Sequence, residues 1–133
     1  MKQFFQVPKR IHNALMILCF IAEKQVNTPV ALSLISNYLK LSHGYLEQIM
    51  PALKKAGLVK SYRGFNGGYI LAKKPSQISL KDIIEALEGP IEVADCLKNK
   101  GCLIIKKCPS VNIWKKLQKE LNDSFKKVKL SDI

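Results

Sequence analysis

Apolar residues recur every three to four positions from Ile11 onward. Ile11, Ala14, Leu15, Leu18, Ile21 and Ala22 share one face of a helix predicted over roughly 9–25, with Pro8 suited to its first turn. Asn27, Thr28 and Pro29 interrupt it. Thr28 is placed to cap a second helix, about 29–39, that turns Leu32, Ile35 and Leu39 inward. Lys40 and Leu41 make a short turn. Ser42 then caps a third helix that buries Leu46, Ile49 and Leu53 and stops at Gly57. Pro51 lies inside that helix, and the clash of its ring with the Glu47 carbonyl predicts a kink.

The pattern then changes. Leu58–Tyr62 and Tyr69–Leu71 have strand composition, and Gly64, Asn66, Gly67 and Gly68 supply the backbone freedom of a hairpin tip. Ser79 caps a fourth helix carrying Ile83, Ile84 and Leu87, ended by Gly89-Pro90. Ser110 caps a last helix to about residue 128, with Trp114, Leu117, Leu121, Phe125 and Val128 spaced 3, 4, 4, 3. The fold predicted is mostly α with a small β-hairpin: a winged helix-turn-helix plus a long C-terminal dimerisation helix. The expected divisions are 1–75 for the winged domain, 76–95 for a linking helix, 96–108 for a cysteine loop, and 109–133 for the dimerisation helix and tail. The stripe from Trp114 to Val128 has two readings. It packs on its own domain, or it pairs with a second copy, which is favoured because pairing also sets two recognition helices about one DNA turn apart.

Charge sharpens the division. The net charge is +12. Residues 1–80 hold 11 Lys/Arg against two acids, Glu23 and Glu47, whereas residues 81–133 hold 11 against 8. A basic half joined to a nearly balanced half suits a polyanion-binding module attached to something else. There is no nucleophile triad, no phosphate-binding loop and no carboxylate pair in a pocket-like context, which argues against an enzyme. The run ALMILCFIA (14–22) has nine apolar residues, too few for a bilayer, and no small-residue cleavage site follows it. The expectation is a reduced, cytoplasmic protein with no membrane span.

Three of the four cysteines cluster in CLKNKGCLIIKKC (96–108): Cys96, Cys102 and Cys108 stand six apart, among four lysines and no acid. An odd cluster cannot pair off within the chain, and Cys19 sits apart in an apolar run. Lys98, Lys100, Lys106 and Lys107 favour thiolates and offset the charge of a thiolate-bound group. The spacing is poor for structural zinc, which prefers two close pairs of ligands. An iron–sulfur platform, an unmetallated thiol sensor, and a zinc site or no role at all are the readings these residues leave open.

Longer blocks carry a resemblance. GYLEQIM (44–50), LKKAGLVKSYRGFNGGYILA (53–72), ISLKDIIEALEG (78–89), the three cysteines, Trp114 and the closing KLSDI (129–133) resemble the IscR/NsrR-type winged-helix regulators of bacteria, the Rrf2 family. The likeness spans nearly the whole chain. It implies a homodimer that binds double-stranded DNA at an inverted-repeat operator. It also implies, as in many members, an iron–sulfur cluster (2Fe–2S or 4Fe–4S) on three cysteines at this spacing. Other members lack cysteines, so a cluster-free regulator controlled by thiol oxidation or by a protein or metabolite partner is the alternative.

On this reading Ser42, His43, Tyr45, Glu47 and Gln48 sit where base edges and phosphates are reached. Gln pairs with adenine, Glu accepts from cytosine, and the hydroxyls suit phosphates. Packing against helix two is the bland role for Tyr45, and a solvated charge is that for Glu47. Lys54 and Lys55 are phosphate contacts, and the resemblance places Arg63, at the glycine-rich tip, in the minor groove. Asn66 stands where relatives often have glycine. For a fourth cluster ligand, some relatives have a histidine three residues after the third cysteine, where this chain has Val111. Others use a carboxylate near the start of helix one of the second subunit, and the matching position is His12. A solvent-exposed or DNA-backbone role for His12 weighs about equally.

Overall fold

The computed structural model describes residues 5–94, 97, 103–104 and 106–133. Its helices are α1 (Lys9–Lys24), α2 (Leu32–Leu39), α3 (His43–Lys55), α4 (Leu80–Glu88) and α5 (Val111–Lys127). Strands β1 (Val59–Tyr62) and β2 (Gly68–Leu71) pair antiparallel, from Val59 opposite Leu71 to Tyr62 opposite Gly68. This is the three-helix and wing arrangement expected, with α5 following it. Among the described residues no helix is long and apolar enough to cross a membrane.

One core joins the elements. It collects Ile17, Leu18 and Ile21 from α1, Ile35 from α2, Leu46, Ile49 and Leu53 from α3, and Ile83 from α4, all essentially inaccessible to solvent. Ile17, Phe20 and Asn13 are buried on α1 beyond the expected stripe, because α1 is surrounded rather than laid on a surface. α3 runs unbroken through Pro51. Burial explains this: Leu46, Ile49, Met50 and Leu53 each gain about 1.5–3 kcal/mol, which outweighs the ~3 kcal/mol a mid-helix proline costs.

Two expected caps form. The Ser42 hydroxyl accepts from the Tyr45 N–H at 3.1 Å, and Ser79 and Asp82 exchange bonds at 3.1 and 3.0 Å. Two do not. α2 begins at Leu32, not near residue 29, and Thr28 does not cap it. Val30 instead exchanges both backbone bonds with Tyr69 at 2.8 Å, which holds the chain extended ahead of α2 and fastens the wing to it. Ser110 stands at the head of α5, but its hydroxyl contacts Cys108 Sγ at 3.2 Å rather than a helix N–H.

The tail after α5 returns to the winged core. Leu80 N–H donates to the Val128 carbonyl at 2.8 Å, Leu130 N–H donates to the Ile78 carbonyl at 2.9 Å, and the Leu130 side chain is buried with α1 and α4. α5 is thus anchored to the winged domain at its C-terminal end.

Candidate nucleic-acid interface and cysteine loop

α3 divides cleanly. Leu46, Ile49, Met50 and Leu53 face inward, whereas His43, Gly44, Glu47, Gln48, Pro51, Lys54 and Lys55 are exposed. The exposed positions follow the three-and-four spacing of one helix face. A helix that keeps one face exposed and largely polar beside a basic hairpin has the shape that enters a major groove. Ser42 is exposed; its hydroxyl oxygen accepts the cap bond, which leaves its proton to donate outward.

Tyr45 is different. It packs partly into the core, and its hydroxyl accepts from Asn13 Nδ2 at 3.0 Å. Asn13 is itself buried on α1. The tyrosine ring therefore ties the start of α3 to α1, and its packing partner includes α1 rather than helix two alone. This role escapes local pattern because the partner lies 32 residues away in the chain.

Further cations surround this point. Lys9, Arg10 and Lys40 line a groove with Asn13, Ser42 and Tyr45, open at the head of α3. Lys40 holds φ +58 in the turn between α2 and α3, a conformation that costs most side chains about 1–2 kcal/mol. Arg10 also donates to the Leu87 carbonyl at 3.0 Å. The sequence signal for this groove was the pair of cations directly after Pro8 and the lysine in the interhelical turn.

The wing is tightly built. Gly67 N–H closes a turn onto the Gly64 carbonyl at 3.0 Å, and Gly64 has φ +106. A side chain at Gly67 would collide with the Tyr62 carbonyl, so only glycine fits there. Leu71 N–H donates to Gln25 Oε1 at 2.6 Å, a second tie from β2 to the body. Arg63 and Phe65 are exposed at the tip, beyond the paired residues.

On α5 the apolar stripe splits into two edges. Leu121 and Phe125 are half-buried, and Phe125 lines a pocket with Ile11, Leu80 and Ile84, whereas Trp114 and Leu117 remain 38% and 40% exposed and Val128 is exposed at the helix end. Ile113, outside the expected stripe, is more exposed still. The stripe is thus partly satisfied within the chain and partly open.

Of the cysteines, Cys96 and Cys102 lie outside the described residues. Cys108 is half-exposed just before α5, and the Ser110 hydroxyl, then the Ser110 backbone, lower its thiol below the ordinary value. An accessible cysteine thiolate is the donor type an iron–sulfur cluster takes. Cys19 packs against the core, and burial pushes its thiol up, as befits an inert small core residue. His12 is exposed on α1. Among the described residues, no three His, Cys, Asp or Glu side chains come together.

Residues 7–133 match the Rrf2 family, described as an iron-dependent transcriptional regulator. CymR, an HTH-type transcriptional regulator of Bacillus subtilis, is 43% identical over 86 residues, which is 65% of this chain and 62% of CymR. The solved structure of CymR, the global cysteine regulator of B. subtilis, superposes with a TM-score of 0.72 at 31% identity, covering 97% of this chain and 95% of that one. IscR from T. potens superposes with a TM-score of 0.71 at 33% identity, covering 97% and 85%. With a match across all but the first six residues, and a winged fold shared with these regulators, the chain belongs to the Rrf2 family and is a transcriptional regulator rather than an enzyme.

Proposed function

We propose that this regulator acts in the cytoplasm as a homodimer on an inverted-repeat operator, with its DNA affinity controlled by an iron–sulfur cluster. The observation that carries the cluster reading is the trio Cys96, Cys102 and Cys108 at equal spacing among four lysines, with Cys108 half-exposed just before α5. These three would hold the cluster. His12 of a second copy is the proposed fourth ligand, since a neutral imidazole ligates iron well. When bound, such a group supplies a redox- and oxygen-sensitive link whose loss changes how the loop is held.

The chain's own residues do the rest. The exposed stripe of α3 presents His43, Glu47 and Gln48 to base edges. Ser42, Lys54 and Lys55 serve the phosphates, Tyr45 seats α3 on α1, and Arg63 enters the minor groove. Cys108 lies three residues before α5, so any change in how the loop is held is felt at the helix proposed to join the two copies. For a cluster to regulate, it must bind the DNA-competent arrangement with a different affinity from the other. The similarity to CymR supports a second reading, in which the same fold responds to thiol state or a partner without iron.

The open edge of α5 provides the test of the dimer. Trp114→Asp places a charge in the proposed apolar seam and is expected to weaken association at least about a hundredfold, from the cost of burying an unpaired charge. Sedimentation should then show a monomer of about 15 kDa. A variant that still sediments as a dimer would place the seam elsewhere.

A further inference from the structure

The wing carries one large side chain that does nothing for the fold. Phe65 is completely exposed, at 103% of its reference area, more than any other large apolar side chain among the described residues. Turn tips ordinarily carry Gly, Asn, Asp, Ser or Pro, each for its own backbone reason. An aromatic ring there gains nothing from the fold. Phe65 follows Gly64 in the turn that the Gly67-to-Gly64 bond closes, so it occupies the outermost corner of the hairpin.

The corner is stiff. Gly67 packs directly over the Tyr62 and Gly64 carbonyls, Gly68 lies against the Val30 backbone, Val30 and Tyr69 exchange two bonds, and Gln25 holds Leu71. The ring is therefore presented on an arm braced to the segment that joins α1 to α2. The wing as a whole is cationic: Arg63 is two residues back, and towards the base Lys60 is exposed on β1 and lines a groove with Lys54 of α3. That charge suits a phosphate-lined groove rather than an apolar protein surface.

We infer that Phe65 is a wedge that enters the DNA minor groove beside Arg63 and partly unstacks one base step, so that operator choice includes the deformability of that step. This rests on the DNA-binding reading of the wing. Apolar side chains inserted from the minor-groove side open base steps and kink the duplex. Pyrimidine–purine steps, TA and CA/TG, yield most easily. The wedge thus selects sequence without a hydrogen bond to any base, and the operator carries such a step where the wing lands in each half-site.

The test uses the full-length protein and a DNA site selected by it from a random pool. 2-Aminopurine is placed in turn at each position of the wing segment. Binding of the wild type should raise 2-aminopurine emission at one step, and Phe65→Ala should abolish that rise. The same substitution should weaken the selected site about tenfold, a typical loss for one base–aromatic stack, and relax its preference for TA or CA/TG there. Binding to random DNA and its salt dependence should be unchanged, since no charge is altered. Phe65→Trp should keep the emission rise. Because the side chain touches nothing in the fold, equal thermal midpoints check that the variant is intact. Equal emission and equal site preference in wild type and Phe65→Ala would overturn the wedge while leaving DNA binding standing. A wild type with no salt-dependent binding to any DNA would overturn both. Loss of affinity for random and selected DNA alike, with a changed salt slope, would also overturn it, by assigning Phe65 to the general fit of the wing.

Discussion

Gly68→Ala should pull the wing from the body of the domain. The added methyl would collide with the Val30 carbonyl oxygen and lie 2.9 Å from the Ala31 amide nitrogen, and both are backbone atoms that cannot swing aside. The backbone at Gly68 has φ +154, which an L side chain rarely adopts. Strain and steric collision together cost roughly 2–4 kcal/mol. Val30 and Tyr69 lose their paired bonds if the strand shifts to escape. The expected result is a lower urea midpoint, fast amide exchange at Val30 and Tyr69, and weaker binding to the selected site, because Arg63 and Phe65 lose their brace. A variant with wild-type stability and protected amides at both positions would mean that the contact relaxes at no cost.

Replacement of any one of Cys96, Cys102 or Cys108 by Ala should abolish the visible absorbance and bound iron of protein purified without oxygen. Cys19→Ala should leave both. The contrast follows from placement: the three share one lysine-rich loop in the sequence, whereas Cys19 packs against the core, where burial pushes its thiol up. Undiminished absorbance in all three loop variants would defeat the cluster reading and favour control by thiol state or a partner.

What could be read from the chain alone depended on whether the cause was local. Ser42 and Ser79 announced their helices because a cap and its target lie three residues apart. The inward face of α3 was legible from its period, and the wing from its glycines. Thr28 failed as a cap because Val30 is claimed by Tyr69, 39 positions on, and pairing of that range leaves no local trace. Ser110 failed because a thiol two residues away engages its hydroxyl. Tyr45 was legible as a member of the α3 end, but its bond to Asn13 was not. On α5 the period showed one stripe. Only the partial burial of Leu121 and Phe125 separated its closed edge from the edge that Trp114 and Leu117 leave open. Phe65 leaves no signature of its own, because the glycines around it fix the turn whatever side chain stands there.

The central claim, that a cluster on the loop sets DNA affinity, reduces to one comparison. The affinity of a single oxygen-free preparation for its selected site is measured at fixed salt, before and after the iron is removed. Linkage requires the two affinities to differ by the coupling between the sites, typically about 5- to 150-fold, and restoring iron and sulfide should restore the first value. Equal affinities before and after removal, with the iron demonstrably bound at the start, would contradict the account.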